Sequence, residues 1–517
     1  MVLQTMRSSV PYLSLEQVSY FERAMETFNE IKGTEMVSDF FVSLNSELQG
    51  KEILVAQHKS CSRFIDLYIK ECPVEYLHKL FLTFNRRWDD LAKDKFSSHA
   101  VEGIIIQCIP YIKNNEFKPT FSELFASMLA DIRPIAPELA EDPSGSHVIR
   151  CILKNLSIVE SLVNHIDKLS RQIVQVFIKD PLKSNHPQFS AVLQAIAALD
   201  AEKYGKLIKY LGNSVKYTFD DVCSKSTSRL IESLITLSNE TAMNSVYESV
   251  FKESAKSISI HSVGNFVLQR WLEKATNIEQ IKGVSNSLLS DFQNILFRRP
   301  EVILALCNNL GFTKVMQDEI ISALQNYPGE QNLIKKLMKI APPTGAKILQ
   351  SLCYFDEKNS DVITGSLLDL GADGLAEVSI DKSGTFLVTE FLKSTIKVQA
   401  KHRLIRKLMP KIRSLCFDMR GTYVVEGAFE CADIKLKSQI CTEIANEEVK
   451  KKAPHLWRSF RMEQFLKNPS QWDADTEQLE KKAKVMSEFI EINENGTEKP
   501  IEITQPTEKR KKHHQKK

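Results

Sequence analysis

Apolar residues recur along most of this chain at steps of three and four, which is the period of an amphipathic helix. Gly and Pro, with 18 of each in 517 residues, are too scarce for a fold made of short strands and turns. The pattern therefore predicts an all-α fold. It ends after Trp472, beyond which apolar residues are sparse and charged residues dense.

One short motif returns within the predicted helices. It consists of a small residue, then Ser, Asn or Thr (the first position), a variable residue (the second), two apolar residues, and Gln or Glu (the fifth). The best copy is Gly264–Gln269. The other copies with a final Gln or Glu are Ser97–Glu102, Phe189–Gln194, Thr227–Glu232, Phe312–Gln317, Gly345–Gln350 and Gly421–Glu426. Three weaker copies end differently: Cys61–Asp66, Gly145–Arg150 and Gly384–Thr389.

The spacing of these ten frames predicts a repeat protein. First positions follow one another at intervals from 33 residues (Thr313 to Ala346) to 48 residues (Ser98 to Ser146). Units of this size hold two or three helices and cannot bury their own apolar face, so they must stack. We expect a curved, horseshoe-like α-solenoid of about ten or eleven repeats.

The ends of the chain differ from the repeats. Helical periodicity without the motif, over residues 15–28 and 37–48, predicts an N-terminal capping unit, and residues 457–465 suggest a degenerate last repeat or a second cap. We expect residues 1–13 to be a tail and 14–472 the repeat array with its caps. We expect 473–517 to be a charged, largely disordered tail with a short helix at 476–492 and a basic C-terminus.

The motif places three side chains of each repeat together. On a helix, residues i and i+4 share a face and residue i+1 lies beside them. Gln and Glu can hydrogen-bond to base edges, while flat or cationic side chains stack on bases, so ten such frames predict a surface for unpaired nucleic acid. The candidate RNA-binding residues are Ser98, His99, Glu102, Ser146, His147, Arg150, Ser190, Gln194, Ser228, Arg229, Glu232, Asn265, Phe266, Gln269, Thr313, Lys314, Gln317, Lys347, Gln350, Thr422, Tyr423 and Glu426.

The sequence resembles the Pumilio (PUF) family of RNA-binding repeat proteins over about residues 15–472. The family's helix reads Gly-Asn-Tyr-Val-Ile-Gln or similar, which Gly264–Gln269 nearly reproduces and Gly421–Glu426 approaches. The resemblance implies one base per repeat, read by the first and fifth positions and stacked on the second. It implies uracil at Asn265 with Gln269. By the same carry-over it implies guanine at the Ser98/Glu102 and Ser228/Glu232 repeats and adenine at Ser190/Gln194, where Ala191 cannot stack.

This chain departs from the regular members of that family. It has more frames, uneven spacing and no readable pair at Ser62/Asp66, Ser146/Arg150 or Thr385/Thr389. That profile is similar to the divergent nucleolar branch, in particular the nucleolar protein nine group of small-subunit ribosome-assembly factors. The resemblance implies binding to precursor ribosomal RNA around the 3′ end of the small-subunit RNA, shielding of a cleavage site there, and contact with pre-ribosomal proteins. A second nucleolar Pumilio branch, which binds nucleic acid through basic patches, and a PUF regulator of messenger RNA stay open.

Net charge, cysteine spacing and the lack of catalytic motifs exclude several other functions. The formal charge is only +3, so any nucleic-acid binding must depend on local patches. The ten cysteines lie far apart without metal-ligand spacing, which predicts free thiols and no metal or other cofactor. No catalytic motif appears, so we expect no enzyme activity. A HEAT- or armadillo-like protein-binding scaffold is the rival class.

The termini bear on localisation. The N-terminal residues lack a signal-peptide pattern and no apolar run is long enough to span a membrane, so we expect a soluble intracellular protein and a monomer. The basic stretch 509–517 is interpreted as a nuclear or nucleolar address, against the simpler reading of a solubilising tail.

Overall fold

Helices account for every regular element in the described part of the chain. The computed structural model describes residues 12–114, 116–215, 217–237 and 240–495. All regular elements within these ranges are helical, as the apolar pattern predicts. The chain divides into two compact units, Met1–Gly329 and Glu330–Lys517.

The first unit contains α1 to α22. Their bounds are α1 Leu15–Ile31, α2 Met36–Leu48, α3 Glu52–Gln57, α4 Ser62–Glu71, α5 Val74–Phe84, α6 Trp88–Lys93, α7 Ser97–Cys108, α8 Phe121–Ile132, α9 Ala136–Glu141, α10 Gly145–Leu156, α11 Val163–Lys179, α12 Pro187–Ala197, α13 Ala201–Ser214, α14 Phe219–Cys223, α15 Thr227–Thr236, α16 Glu240–Val246, α17 Lys252–Ile260, α18 Gly264–Lys274, α19 Ile278–Leu289, α20 Phe292–Arg298, α21 Pro300–Thr313 and α22 Gln317–Gln325. A π-helical turn, Tyr247–Phe251, joins α16 to α17.

The second unit contains α23 to α35. Their bounds are α23 Leu333–Ile340, α24 Pro342–Leu352, α25 Glu357–Asp369, α26 Gly371–Ile380, α27 Gly384–Lys393, α28 Val398–Leu408, α29 Ile412–Leu415, α30 Met419–Cys431, α31 Ile434–Ile444, α32 Glu447–Lys452, α33 Pro454–Ser459, α34 Met462–Lys467 and α35 Pro469–Asn495.

Each repeat has the same construction, seen clearly in α6, α7 and α8. A leading helix is followed by the helix that carries the motif and then by a third helix, which we call the back helix. Motif helices pack on one another in order from α4 through α7, α10, α12, α15 and α18 to α21, and in the second unit from α24 through α27 to α30. Back helices form their own row, for example α8, α11 and α13, or α25, α28 and α31. Each unit is thus a two-layered stack of repeats.

A recurring cap starts many motif helices. The residue three places before the small residue accepts hydrogen bonds from free backbone N–H groups of the first turn. Asp142 Oδ1, for example, accepts from Ser144 N at 2.8 Å and from Gly145 N at 2.7 Å. Asp94, Asp381 and Asp418 do the same in their repeats, and His58 and His261 use Nδ1. These caps fix where each motif begins.

Where the motif begins with glycine, as at Gly145, a close backbone approach excludes a larger residue; in α12 the same place is filled by Phe189. A Cβ on Gly145 would lie 2.9 Å from the carbonyl oxygen of Leu139, on the leading helix of that repeat. Ser97 occupies the equivalent place and uses the proximity, since its hydroxyl donates to Leu91 O at 2.9 Å. The motif therefore begins with a small residue for packing reasons rather than for binding.

The N-terminal segments form the expected helices. α1 and α2 pack on each other, and α1 packs on α4, the first motif helix. Phe21 of α1 lies against Phe64 of α4 with ring centroids 5.0 Å apart. Covering the apolar side of the first repeat in this way is what a capping unit must do.

The C-terminal boundary differs from the expectation. Helix α35 begins before Trp472 and continues to Asn495, so the predicted break at residue 473 falls inside a helix. Trp472 is buried, its Nε1 donates to Phe460 O, and Thr476 is also buried. The predicted short helix at 476–492 lies within α35, but its earlier start at Pro469 was missed because only one side of the first turns is apolar. The basic end, residues 509–517, lies outside the described residues.

Candidate nucleic-acid interface

Nine of the ten predicted frames lie near the start of motif helices and share one pattern of burial. The small residue and the two apolar residues are almost always buried, the second position is exposed in all frames but that of Ala191, and the fifth is half-buried. The residues at these second positions include His99, His147, Arg229, Phe266, Lys347 and Tyr423. The exposed second positions therefore present a row of flat or cationic side chains along each unit's layer of motif helices.

The first position does not project with the others, contrary to the expectation. Its exposure is between 1% and 8% in the nine frames, for example 2% at Asn265 and 1% at Ser146. Helical spacing places residues i and i+4 on one side, but the preceding turn and the adjacent repeat cover residue i. The accessible surface of each repeat consists of the second and fifth positions, with the first beneath them.

In two repeats the first position instead orients the fifth. Asn265 Nδ2 donates to the backbone oxygen of His261 at 2.6 Å, and Gln269 Nε2 donates to Asn265 Oδ1 at 2.8 Å. Gln194 Nε2 likewise donates to Ser190 Oγ at 3.2 Å. The amide is held with its oxygen free to accept, so each pair presents a preorganised polar edge.

The frame Phe312–Gln317 is wrong. Helix α21 ends at Thr313, Lys314 and Met316 have positive φ, and Gln317 is buried at the start of α22, where its Nε2 donates to Leu310 O. Thr313, Lys314 and Gln317 therefore do not form a surface triad.

The true frame of this repeat is apolar. Aligning the buried residues of α21 with those of α18 places Ile303, Leu304 and Cys307 at the first, second and fifth positions, although here Leu304 is half-buried and Cys307 fully buried. The first-position intervals then become 38 residues from Asn265 and 43 residues to Ala346. This repeat offers no polar side chain at the three motif positions.

In the first unit, polar side chains surround a cavity of about 340 Å³ between α12, α15 and α18. It is lined in part by Gln194, Arg229, Glu232 and Arg270. Burial raises the pKa of Glu232, and the charges of Arg270 and Arg229 oppose that shift. Glu232 supplies an acceptor for a base edge. Arg229 and Arg270, the latter paired with Glu273 at 2.6 Å, supply donors in the same cavity.

Two other sequence-predicted frames of this unit differ in chemistry. Ser98, His99 and Glu102 lie at the start of α7 in the common arrangement. In α10, Arg150 Nη2 donates to His147 Nδ1 at 3.0 Å, so a cation replaces the amide at the fifth position. That repeat suits a phosphate or a stacked base better than hydrogen-bond reading of a base edge.

The second unit contains an aromatic cleft, and the sequence-based candidates include only one of its two rings. Phe386 and Tyr423, the second positions of α27 and α30, are 64% and 58% exposed and line a cavity of about 440 Å³. Thr389 and Glu426 supply fifth positions, and Lys382, Lys393 and Arg420 also line the cavity. Two exposed rings with cations beside them are suited to hold a nucleobase and its phosphates.

Phe386 is missing from the sequence-based candidates. Its frame ends in Thr389, which gives no readable pair, although the residue type at its second position is a sufficient signal. Thr422 is buried like the other first positions and donates to Met419 O. On α24, Lys347 is exposed and Gln350 half-buried above Ala346, so this repeat keeps two of its three motif groups.

Other chemistry is not evident in the described ranges. The cysteines there are not paired in disulfides, and no group of three His, Cys, Asp or Glu side chains is placed to hold a metal ion. None of the helices described is long and apolar enough to cross a membrane.

Comparisons with known proteins agree with the helical-repeat fold. The family model described as the NOP9-like PUF repeat domain matches residues 50–203 and 184–453. Pumilio homolog 23 of Arabidopsis thaliana is 20% identical, over 83% of this chain and 68% of that protein. Nucleolar protein 9 of Aspergillus fumigatus is 20% identical, over 90% of this chain and 83% of that protein.

A solved structure shares the fold. The structure of APUM23 with the RNA GGAAUUGACGG aligns with a TM-score of 0.76 at 20% identity, over 90% of this chain and all of that one. The likeness confirms the helical-repeat fold predicted from the sequence.

Proposed function

Since the chain belongs to the NOP9-like PUF repeat family, we propose that it binds single-stranded RNA along its motif helices and acts in small ribosomal subunit biogenesis in the nucleolus. The observation that carries the proposal is the repeated surface of exposed second positions beside half-buried fifth positions. Family membership also decides against the HEAT- or armadillo-like scaffold, whose grooves need no such polar frame.

Precursor ribosomal RNA is the ligand that best fits this setting. The fungal relatives are named nucleolar proteins, and the nucleolus is where precursor ribosomal RNA is made and cut. A protein that holds an unpaired stretch along several repeats excludes a nuclease from it. We therefore assign the chain a shielding role at a processing site, with pre-ribosomal proteins as neighbours, and no catalytic step of its own.

Two further assignments belong to this proposal. The repeat array with its caps extends through the first turns of α35, because Trp472 and Thr476 are part of its core. The basic stretch 509–517 serves as the nuclear or nucleolar address. Removing it from a fluorescently tagged chain is expected to reduce nucleolar retention, and full retention would place the address elsewhere.

Direct RNA binding tests the function. The full chain is titrated against labelled GGAAUUGACGG, the RNA held by the related structure, against a scrambled RNA of the same composition, and against the DNA version. We expect salt-dependent binding that favours one RNA sequence over the other. Absence of binding to any single-stranded RNA at low salt would contradict the proposal.

The best frame gives a specific expected outcome. Replacing Asn265 and Gln269 together by alanine is expected to weaken binding to a preferred RNA by about 1–3 kcal/mol, the range of a good bidentate base contact. Thr313→Ala is the matched control, because that residue lies at the end of α21 and outside any motif position. Equal affinities of the double variant and the control would show that this repeat reads no base.

A further inference from the structure

The back helix α28 carries an unbalanced positive surface. Residues 398–415 contain six Lys or Arg residues and no Asp or Glu. Arg403, Arg406 and Lys407 are exposed, while Leu404, Ile405 and Leu408 between them are buried. We call these three exposed residues the basic ridge. Such a stripe is unusual in a chain whose net charge is only +3.

The basic ridge faces away from the motif helices of its own unit. The buried side of α28 packs against α25, α26 and α30, and α30 is the motif helix that carries Tyr423. Spacing of three and four residues keeps the three cations on the opposite, solvent side of α28. RNA held along the motif helices does not reach these side chains directly.

The ion pairs near the basic ridge do not neutralise its three cations. Neighbouring basic residues are paired, Lys411 with Asp373 at 2.5 Å and Arg413 with Glu443 at 3.9 Å. Among the described residues, no carboxylate lies within ion-pair distance of Arg403, Arg406 or Lys407. Three like charges within two helical turns repel one another, so an anion that binds there relieves an existing cost.

A polar groove runs beside the ridge. Arg406 and Met409 of the α28 side and Gln439, Thr442 and Glu443 of α31 line a space of about 430 Å³. Gln439 and Thr442 offer hydrogen bonds. Arg413 Nε donates to the backbone oxygen of Glu443 at 2.9 Å, and the Glu443 carboxylate lies 3.9 Å from Arg413 Nη2. The groove has room for a sugar–phosphate strand, whose phosphates arginine binds through two N–H groups at once.

We propose that the basic ridge is a second, sequence-independent RNA site that binds the phosphate backbone of a segment flanking the stretch on the motif helices. The inference rests on the proposed function, which supplies the RNA. An acidic protein is the weaker occupant, because a protein interface needs an apolar centre and the apolar residues of α28 around the ridge are buried.

The test compares extended RNAs. The probes are GGAAUUGACGG alone, the same RNA with a 15-nucleotide unpaired extension, and the same RNA with a 15-base-pair hairpin. The full chain is compared with the variant Arg403→Gln/Arg406→Gln/Lys407→Gln. A control, Lys168→Gln/Lys206→Gln/Lys209→Gln, removes the same charge from exposed positions on the back helices α11 and α13. Glutamine keeps helix propensity close to that of the residues replaced.

We expect one extension to improve affinity by about tenfold at low salt, as three phosphate contacts would. The ridge variant loses this gain and its salt slope falls by about two, while the control keeps both. A gain in affinity with the unpaired extension identifies an unpaired flanking segment, and a gain with the hairpin identifies a paired one. Equal gains in the ridge variant and the control, or no gain in either arm, would overturn the proposal.

Further measurements distinguish a wrong proposal for the basic ridge from a wrong proposal for the motif helices. The isolated 15-base-pair duplex and an isolated 15-nucleotide unpaired RNA are titrated as well, so the ridge variant is scored even if GGAAUUGACGG does not bind. The variant Phe386→Ala/Tyr423→Ala, which alters only the motif face, is expected to keep the extension gain. Displacement of the RNA by polyglutamate of equal charge at equal or lower concentration would indicate an acidic protein and reject RNA.

Discussion

Replacing Phe386 and Tyr423 together by alanine is expected to weaken binding of single-stranded RNA by about 5- to 150-fold, which corresponds to the 1–3 kcal/mol of aromatic–base stacking measured by alanine substitution. Both rings are more than half exposed and line the same cavity. Their removal takes away both stacking surfaces of that cleft without touching buried residues. Equilibrium titration of labelled RNA measures the change.

Two controls separate stacking from folding. Phe297→Ala removes an exposed ring at the end of α20, outside the motif helices, and is expected to leave the affinity unchanged. Tyr423→Phe keeps a flat ring and is expected to bind nearly as the natural chain does. If the double variant is folded and binds as tightly as the Phe297→Ala variant, the cleft holds no base.

Gly421→Ala is expected to lower the free energy of unfolding by about 3 kcal/mol, because overpacking costs of this size follow when backbone must move. A Cβ there would collide with the carbonyl oxygen of Leu415 and lie 3.0 Å from its carbonyl carbon. Both contacts are with backbone, which cannot turn away as a side chain can. Urea unfolding followed by circular dichroism measures the loss.

Gly365→Ala is the matched control in the same unit. Gly365 lies within α25, and its Cβ would meet no atom within 4 Å. Alanine is favoured over glycine inside a helix by about 1 kcal/mol, so this variant is expected to be at least as stable as the natural chain. Equal stability of the Gly421→Ala and Gly365→Ala variants would show that the small residue of the motif has no packing role.

The sequence was sufficient for the repeat architecture because helix periodicity and motif recurrence are both properties of the chain itself. It failed at α21, where the true frame is apolar and a polar hexamer happens to follow it. The capping residue three places before the small residue, as in Asp142 or His261, gives a register that is independent of the motif. At α21 the signal misleads, because Asn309 is a capping residue type; only the structure shows that it lies inside the helix, where its Nδ2 donates to Leu272 O and Ala275 O.

The remaining misses depend on contacts between distant residues. Burial of Asn265 arises where neighbouring turns and repeats cover it, and helical spacing alone cannot show that. That Phe386 and Tyr423 line one cavity is likewise visible only in the folded chain. Helix α35 starts before the predicted helix at 476–492 and joins the core because Trp472 packs on Phe429 and Phe465, which lie outside the charge-dense segment.

Photo-cross-linking of bound GGAAUUGACGG, followed by mass spectrometry of the cross-linked peptides, tests most directly whether the motif helices hold RNA. Cross-links are predicted at exposed second positions, chiefly Phe266, Phe386 and Tyr423. Cross-links confined to back helices such as α8, α11 and α13 would contradict the account.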